Sequence, residues 1–218
     1  MGAAALAACS SSSPGPHIAT LADDGRSSAT LNVLTGTADL KIGMANFGAG
    51  GALLRVSTPP GAPAPRLRES NADGSVIDLS APGAAEVTVT LNTAATWGLN
   101  LGGGTTRTTA DLRGGQVTGI GFTAGSDVIS LTLPRPRGGV LVRLAGGASQ
   151  FLVSLPGGVP ARVTAAGGAG EISLDGLDHV GVAGGSVFTT PGWAPGAAGF
   201  DIDATAGAGR VAVTTRAN

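Results

Sequence analysis

From residue 83 onward the chain alternates apolar and polar positions in short runs. Val87-Thr88-Val89-Thr90-Leu91, Ile129-Ser130-Leu131-Thr132-Leu133 and Val140-Leu141-Val142-Arg143-Leu144 are three of them. A period of two puts every second side chain on the same face, which predicts strands with one buried face. The runs recur in a frame. Gly83, Gly104, Gly125, Gly147 and Gly168 are spaced by 21 or 22 residues. Five residues before the last four stand Leu99, Ile120, Val142 and Val163, and a leucine closes the following strand at Leu91, Leu112, Leu133 and Leu155. Each unit reads as strand, glycine corner, strand and turn, the turn being a segment such as Pro156-Gly157-Gly158.

A two-strand unit cannot bury its apolar face alone, whereas stacked neighbours make one continuous core. The expected fold is therefore all-β: a β-solenoid-like stack of coils of about 21–22 residues with glycine corners and almost no helix. Glycine suits a recurring corner because it reaches positive φ without strain. Leu99, Ile120, Val142 and Val163 are expected to stack on one another inside. No segment sustains the i, i+3, i+4 apolar spacing of a helix.

The rest of the chain is less regular. Strands are predicted at 29–34, 38–42, 53–56 and 76–79, with a proline-rich connection at 59–65. After Leu174 the frame loosens, then partly returns at Phe200-Asp201-Ile202-Asp203 and Arg210-Val211-Ala212-Val213. The expected organisation is one repeat-built domain over 29–218, irregular to 80, regular over 81–176 and capping the stack over 177–218. Glycine and proline together number 51, a density at which disorder must be considered. Leu, Ile, Val and Phe total 50, above the floor of about 20% for foldable chains, and they fall in the frame, so the chain folds.

The net charge of −1 and the seven aromatics exclude a cationic, base-stacking face, so no nucleic-acid partner is expected. One cysteine rules out an internal disulfide. Its setting, Leu6-Ala7-Ala8-Cys9 followed by Ser10 to Ser13, matches the bacterial lipobox, whose cysteine becomes diacylated. Residues 2–8 read as the tail of a signal that starts upstream, or as the product of a mis-called start codon, and 10–28 as a flexible Ser/Pro/Gly-rich tether. Lipidation of Cys9 would hold the domain at the extracytoplasmic face of a bacterial cytoplasmic membrane.

Four further motifs carry a resemblance: Trp97-Gly98-Leu99-Asn100-Leu101-Gly102-Gly103, Thr109-Ala110-Asp111-Leu112, Ser130-Leu131-Thr132-Leu133-Pro134, and Leu155-Pro156-Gly157-Gly158-Val159-Pro160-Ala161-Arg162-Val163. Over about residues 29–176 the chain resembles the toast-rack β domain of bacterial envelope proteins, related to the cell-wall-antibiotic-response regulators and to adhesin-like proteins. The resemblance implies a β-solenoid-like body at the cell envelope with no catalytic residues to carry over. Some relatives modulate envelope-stress signalling.

Chemistry is sparse. No G-x-S-x-G elbow surrounds any serine, and a triad would have to use His179 beside Asp178. Gly167-Gly168-Ala169-Gly170-Glu171-Ile172-Ser173-Leu174-Asp175 has a faint likeness to a calcium nonapeptide, but it occurs once, with Glu171 in the Asp position. Gly102-Gly103-Gly104 lacks the Lys and Ser/Thr of a phosphate loop, and Asp201 with Asp203 suits a solvated strand face. No catalytic residue, metal or cofactor is expected. The segment 189–200 interrupts the frame and holds Trp193 and Phe200, which either fold over the last coil as a cap, the favoured reading, or contact a partner. The leading function is a non-catalytic structural or adhesin-like interaction module, touching an envelope polymer, an envelope protein or itself. A sensor of an envelope-stress response comes second, and a polysaccharide-acting enzyme third.

Overall fold

The computed structural model describes residues 15–48, 50–71 and 75–216. Among them there are nineteen strands and no helix. In chain order these are β1 (His17–Ala22), β2 (Ser28–Val33), β3 (Thr37–Ala45), β4 (Ala52–Thr58), β5 (Arg66–Glu69), β6 (Val76–Ser80), β7 (Glu86–Asn92), β8 (Thr96–Leu101), β9 (Thr105–Asp111) and β10 (Gln116–Phe122). There follow β11 (Ser126–Thr132), β12 (Gly139–Leu144), β13 (Ala148–Leu155), β14 (Ala161–Ala165), β15 (Ala169–Leu174), β16 (Leu177–Val182), β17 (Ser186–Thr189), β18 (Gly199–Ala204) and β19 (Ala208–Thr215).

They form two sheets, ten-stranded in the order β1-β4-β7-β3-β9-β11-β13-β19-β15-β16 and nine-stranded in the order β17-β14-β18-β12-β10-β8-β2-β6-β5. A coil is one strand of the nine-stranded sheet, a corner, and the next strand in the ten-stranded sheet. Seven coils stack in parallel, β6–β7, β2–β3, β8–β9, β10–β11, β12–β13, β18–β19 and β14–β15. Antiparallel strands finish both ends: β4, β1 and β5 at one, β16 and β17 at the other. The β-solenoid-like architecture read from the repeat is the one present.

The interior column foreseen from the frame is also there, with an addition. Leu99 lies beside Ile120 and Ile120 beside Val142, but Ile202 stands between Val142 and Val163. Leu31 and Ile77 extend the column at its other end. All seven are at most 3% exposed, so the core runs unbroken along the stack. Trp97 is fully buried as well, its indole N–H donating to the Asn92 carbonyl at 2.9 Å.

Chain order and stack order differ in two places. The coil β2–β3 comes first in the sequence but second in the stack, and β18–β19 comes last in the sequence but lies inside, between β12–β13 and β14–β15. The described part of the expected cap, residues 177–216, therefore does not act as one: β16 and β17 occupy sheet edges, whereas β18 and β19 are interior. Polar side chains mark both insertions. Asp203 of β18 pairs with Arg143 on one side and Asp201 with Arg162 on the other, while Arg210 of β19 meets Glu171. At the other insertion Lys41 of β3 pairs with Glu86, and Asn32 of β2 donates to Asp78 and accepts from Asn100. Coils that follow one another in sequence are brought into register by short connections; an inserted coil needs side chains that recognise its neighbours.

Two expectations need correction. The tether ends early, because His17–Ala22 is β1, antiparallel to β4. Positive φ explains only some corner glycines: Gly83, Gly147 and Gly168 have φ of 74–80°, whereas Gly104 and Gly125 are not in that region. Crowding explains Gly125, where a Cβ would lie 3.1 Å from the Gly146 carbonyl oxygen; at Gly104 a Cβ would make ordinary contact with the Gly125 carbonyl oxygen at 3.4 Å. Each corner faces the corner of the next coil, one strand spacing of about 4.8 Å away.

Candidate functional site

Several of the side chains that could do chemistry are engaged in holding the fold. Asp178 and His179 are adjacent in β16, so they point to opposite faces and cannot form the dyad a triad needs. The His179 ring instead packs 4.6 Å from that of Phe188, on β17. Asp175, at φ 49°, turns the chain between β15 and β16. Its carboxylate accepts from the Thr215 backbone N–H at 2.6 Å and from the Thr215 hydroxyl at 3.0 Å. Glu171 is held by Arg210 at 3.2 Å. The glycine-rich stretch before Asp175 is thus a corner and a strand whose two acids are both taken. Among the described residues no cluster of three or more His, Cys, Asp or Glu is placed to hold a metal ion. Gly102, Gly103 and Gly104 form the corner between β8 and β9, where a Cβ on Gly103 would collide with Thr35. Cys9 lies outside the described residues.

The surface that stands out is the outer face of the nine-stranded sheet. Gly98 of β8 lies beside Gly119 of β10, and Gly121 beside Asn100. Next to Gly119 the register slips by one residue at Thr118, a bulge that is uncommon between parallel strands. The three glycines leave bare backbone where other strands carry side chains, and they floor a shallow depression of about 500 Å³ bordered by Thr30, Asn100, Thr118, Leu141 and Arg143. Glycine inside a strand costs about 0.5–1 kcal/mol relative to alanine. Leu141, at 39% exposure, separates this depression from a smaller one of about 220 Å³ walled by Trp193, Ala194, Ala197 and Asp201.

Trp193 reaches this face from the 190–198 connection, which turns at Gly192 and Gly196, both at positive φ. Thr190 anchors the connection, its hydroxyl accepting from the Ala161 N–H at 2.7 Å. The Arg162 guanidinium lies 4.9 Å from the indole centroid and is fixed from behind by both oxygens of Asp201. That hydrogen-bonded pairing raises the Arg162 pKa above its already high ordinary value. The arginine remains a cation and the charge is matched locally. Arg143 and Asp203 form a looser ion pair one row away, at 3.6 Å. The face is polar, aromatic at one point, and close to neutral.

No family model matches the chain, and no curated protein matches it. One solved structure is similar over nearly the whole length, a candidate cell adhesion protein from Clostridium sporogenes. The TM-score is 0.70 at 19% identity, covering 93% of this chain and 100% of that one. At this identity the likeness establishes the fold.

The two aromatics singled out in the sequence part company. Phe200, the second residue of β18, lies beside Val140 and Ala161 and is fully buried, so it belongs to the core and cannot meet a partner. Trp193 is half-buried on the outer face, and it does not cover the last coil. The glycine floor was missed, although a signal existed: Gly98 and Gly119 are 21 residues apart, the period of the repeat, at outward positions of their strands. The pairing of Arg162 with Asp201, 39 residues away, has no local signature.

Proposed function

We propose that this chain is a non-catalytic, adhesin-like contact module of a bacterial cell surface, held there by a lipid on Cys9. It grips a neutral envelope polymer through the outer face of the nine-stranded sheet. The observation that carries this reading is Trp193, held half-exposed on that face by an arginine whose charge Asp201 already balances. A half-exposed aromatic with one fixed cationic neighbour offers apolar contact without net charge, which suits an uncharged polyhydroxyl chain better than a phosphate-rich one. The neighbouring depression adds amide and hydroxyl groups from Asn100, Thr30 and Thr118. The adhesion assignment of the Clostridium protein supports the same reading. Asp201 and Asp203, the carboxylates on this face nearest the tryptophan, are each bound to an arginine, an arrangement that does not favour hydrolysis.

Two measurements test the proposal. Purified neutral cell-wall polysaccharide should retain the wild-type protein on a column, and Trp193→Ala should weaken retention about tenfold, a loss of ~1.4 kcal/mol. Val128→Ala, on the outer face of the other sheet, should not. Equal retention of both variants, or shortening of the polymer by the wild-type protein, would overturn the reading. In a bacterial host expressing the full-length gene, labelled palmitate should enter the protein. Cys9→Ser should abolish both the label and membrane retention.

A further inference from the structure

The two ends of the stack are finished differently. At one end β1 and β5 close over the core, and Arg26 bridges to Glu69 at 2.5 Å. Three of the four residues of β5, Arg66, Arg68 and Glu69, are charged, a common protection of a sheet edge. β1 and β5 each pair on one side only, and so do β16 and β17 at the other end, where two free edges again lie together. β17 carries no charge at all. Leu177, Val180 and Val187, at 71%, 82% and 54% exposure, are three of the six exposed large apolar residues among the described ones, and all lie on these two strands. His179 and Phe188 meet across the end beneath them.

We infer that this end is a self-association surface, on which a second copy of the chain docks head to head. Two edges must be satisfied together, and they lie about 10 Å apart, the spacing of packed sheets. A lone peptide strand covers only one of them. A second copy presents two edges at the same spacing. A two-fold axis normal to the sheets sets β16 antiparallel to the partner's β16 and β17 antiparallel to the partner's β17, so both sheets continue across the junction. Setting Val180 opposite the partner's Val180 buries the most exposed of these apolar residues. It also keeps the two copies of Asp178 from facing each other. At the opposite end β1 is uncharged and exposes Ile18, but a head-to-tail contact would set β17 against the charged β5. The two-fold contact avoids that strand and closes at two copies. A strand of six residues is about 20 Å long and the end is about as wide, which gives roughly 800 Å² buried in total. That is below the ~1,200 Å² of stable complexes, so the dimer is weak, with a Kd of order 0.1 mM.

Sedimentation equilibrium on the full chain with Cys9→Ser should show the 20.9 kDa monomer at about 5 μM and mostly dimer at about 1 mM, given that weak Kd. Val180→Lys combined with Val187→Lys should remain monomeric throughout. Both sites are exposed, so the melting temperature should change little. In the same Cys9→Ser background, Val180→Cys should form a disulfide with its own copy on oxidation at high concentration, even if the lysine variant folds poorly. A monomer persisting to about 1 mM, undiminished dimerisation of the lysine variant, or no disulfide at position 180 would each overturn the inference.

Discussion

Ile202→Ala probes the feature of this fold that departs most from its sequence, the burial of the last coil inside the stack. Ile202 is 0% exposed and lies between Val142 and Val163, with backbone pairing on both sides. Truncation removes three buried carbons and leaves a cavity walled by two neighbouring coils. Such changes cost about 2–5 kcal/mol in a core that cannot collapse, and two flanking ladders leave little room for collapse. The middle of that range is expected, about 3–4 kcal/mol. For a chain of this length it corresponds to a melting temperature lower by roughly 6–15 °C. If the last coil ended the stack, one side of Ile202 would be open and the loss would fall to about 1 kcal/mol, as for a partly exposed side chain. Urea titration followed by circular dichroism measures the difference, with Val187→Ala on the true edge as the control, expected within about 0.5 kcal/mol of wild type. A cost for Ile202→Ala no larger than that of the control would refute the reasoning.

The stack order can also be read chemically. In a Cys9→Ser background, Arg143→Cys with Asp203→Cys places two cysteines on adjacent strands about 4.8 Å apart, within disulfide range, and should cross-link on oxidation. Arg143→Cys with Thr164→Cys would be adjacent if the coils followed sequence order. Here they are two strands apart, about 9.6 Å, and should stay reduced. At the corners, Gly146→Ala would drive a Cβ to within 2.1 Å of the Ala124 backbone and should lower the thermal midpoint sharply, whereas Gly138→Ala meets nothing within 4 Å and should leave it unchanged.

Much of this molecule is written locally. Alternation such as Val87-Thr88-Val89 specifies strands, and Gly83, Gly147 and Gly168 mark corners at positive φ, because each depends on a few adjacent residues. The coil length follows from the spacing of those corners, and the interior column from its frame. The same pattern made Trp193 conspicuous but said nothing of what holds it. Its partner Arg162 and the clamp Asp201 come from β14 and β18, strands that the fold alone makes neighbours. Phe200 shows the same limit: an aromatic beside a loop reads alike whether it covers an end or fills the middle of a core.

Coil order is what only the tertiary structure decided. Every coil offers its neighbours the same backbone ladder and similar Val, Leu and Ile side chains, so periodicity is equally satisfied by many orders of stacking. The choice falls to contacts between distant segments: Asn32 with Asn100, 68 residues apart, or Arg162 with Asp201, 39 apart. A repeat encodes the shape of its unit. Which units touch is settled by those few side chains that differ from the repeat, and their energies exist only once the coils have met.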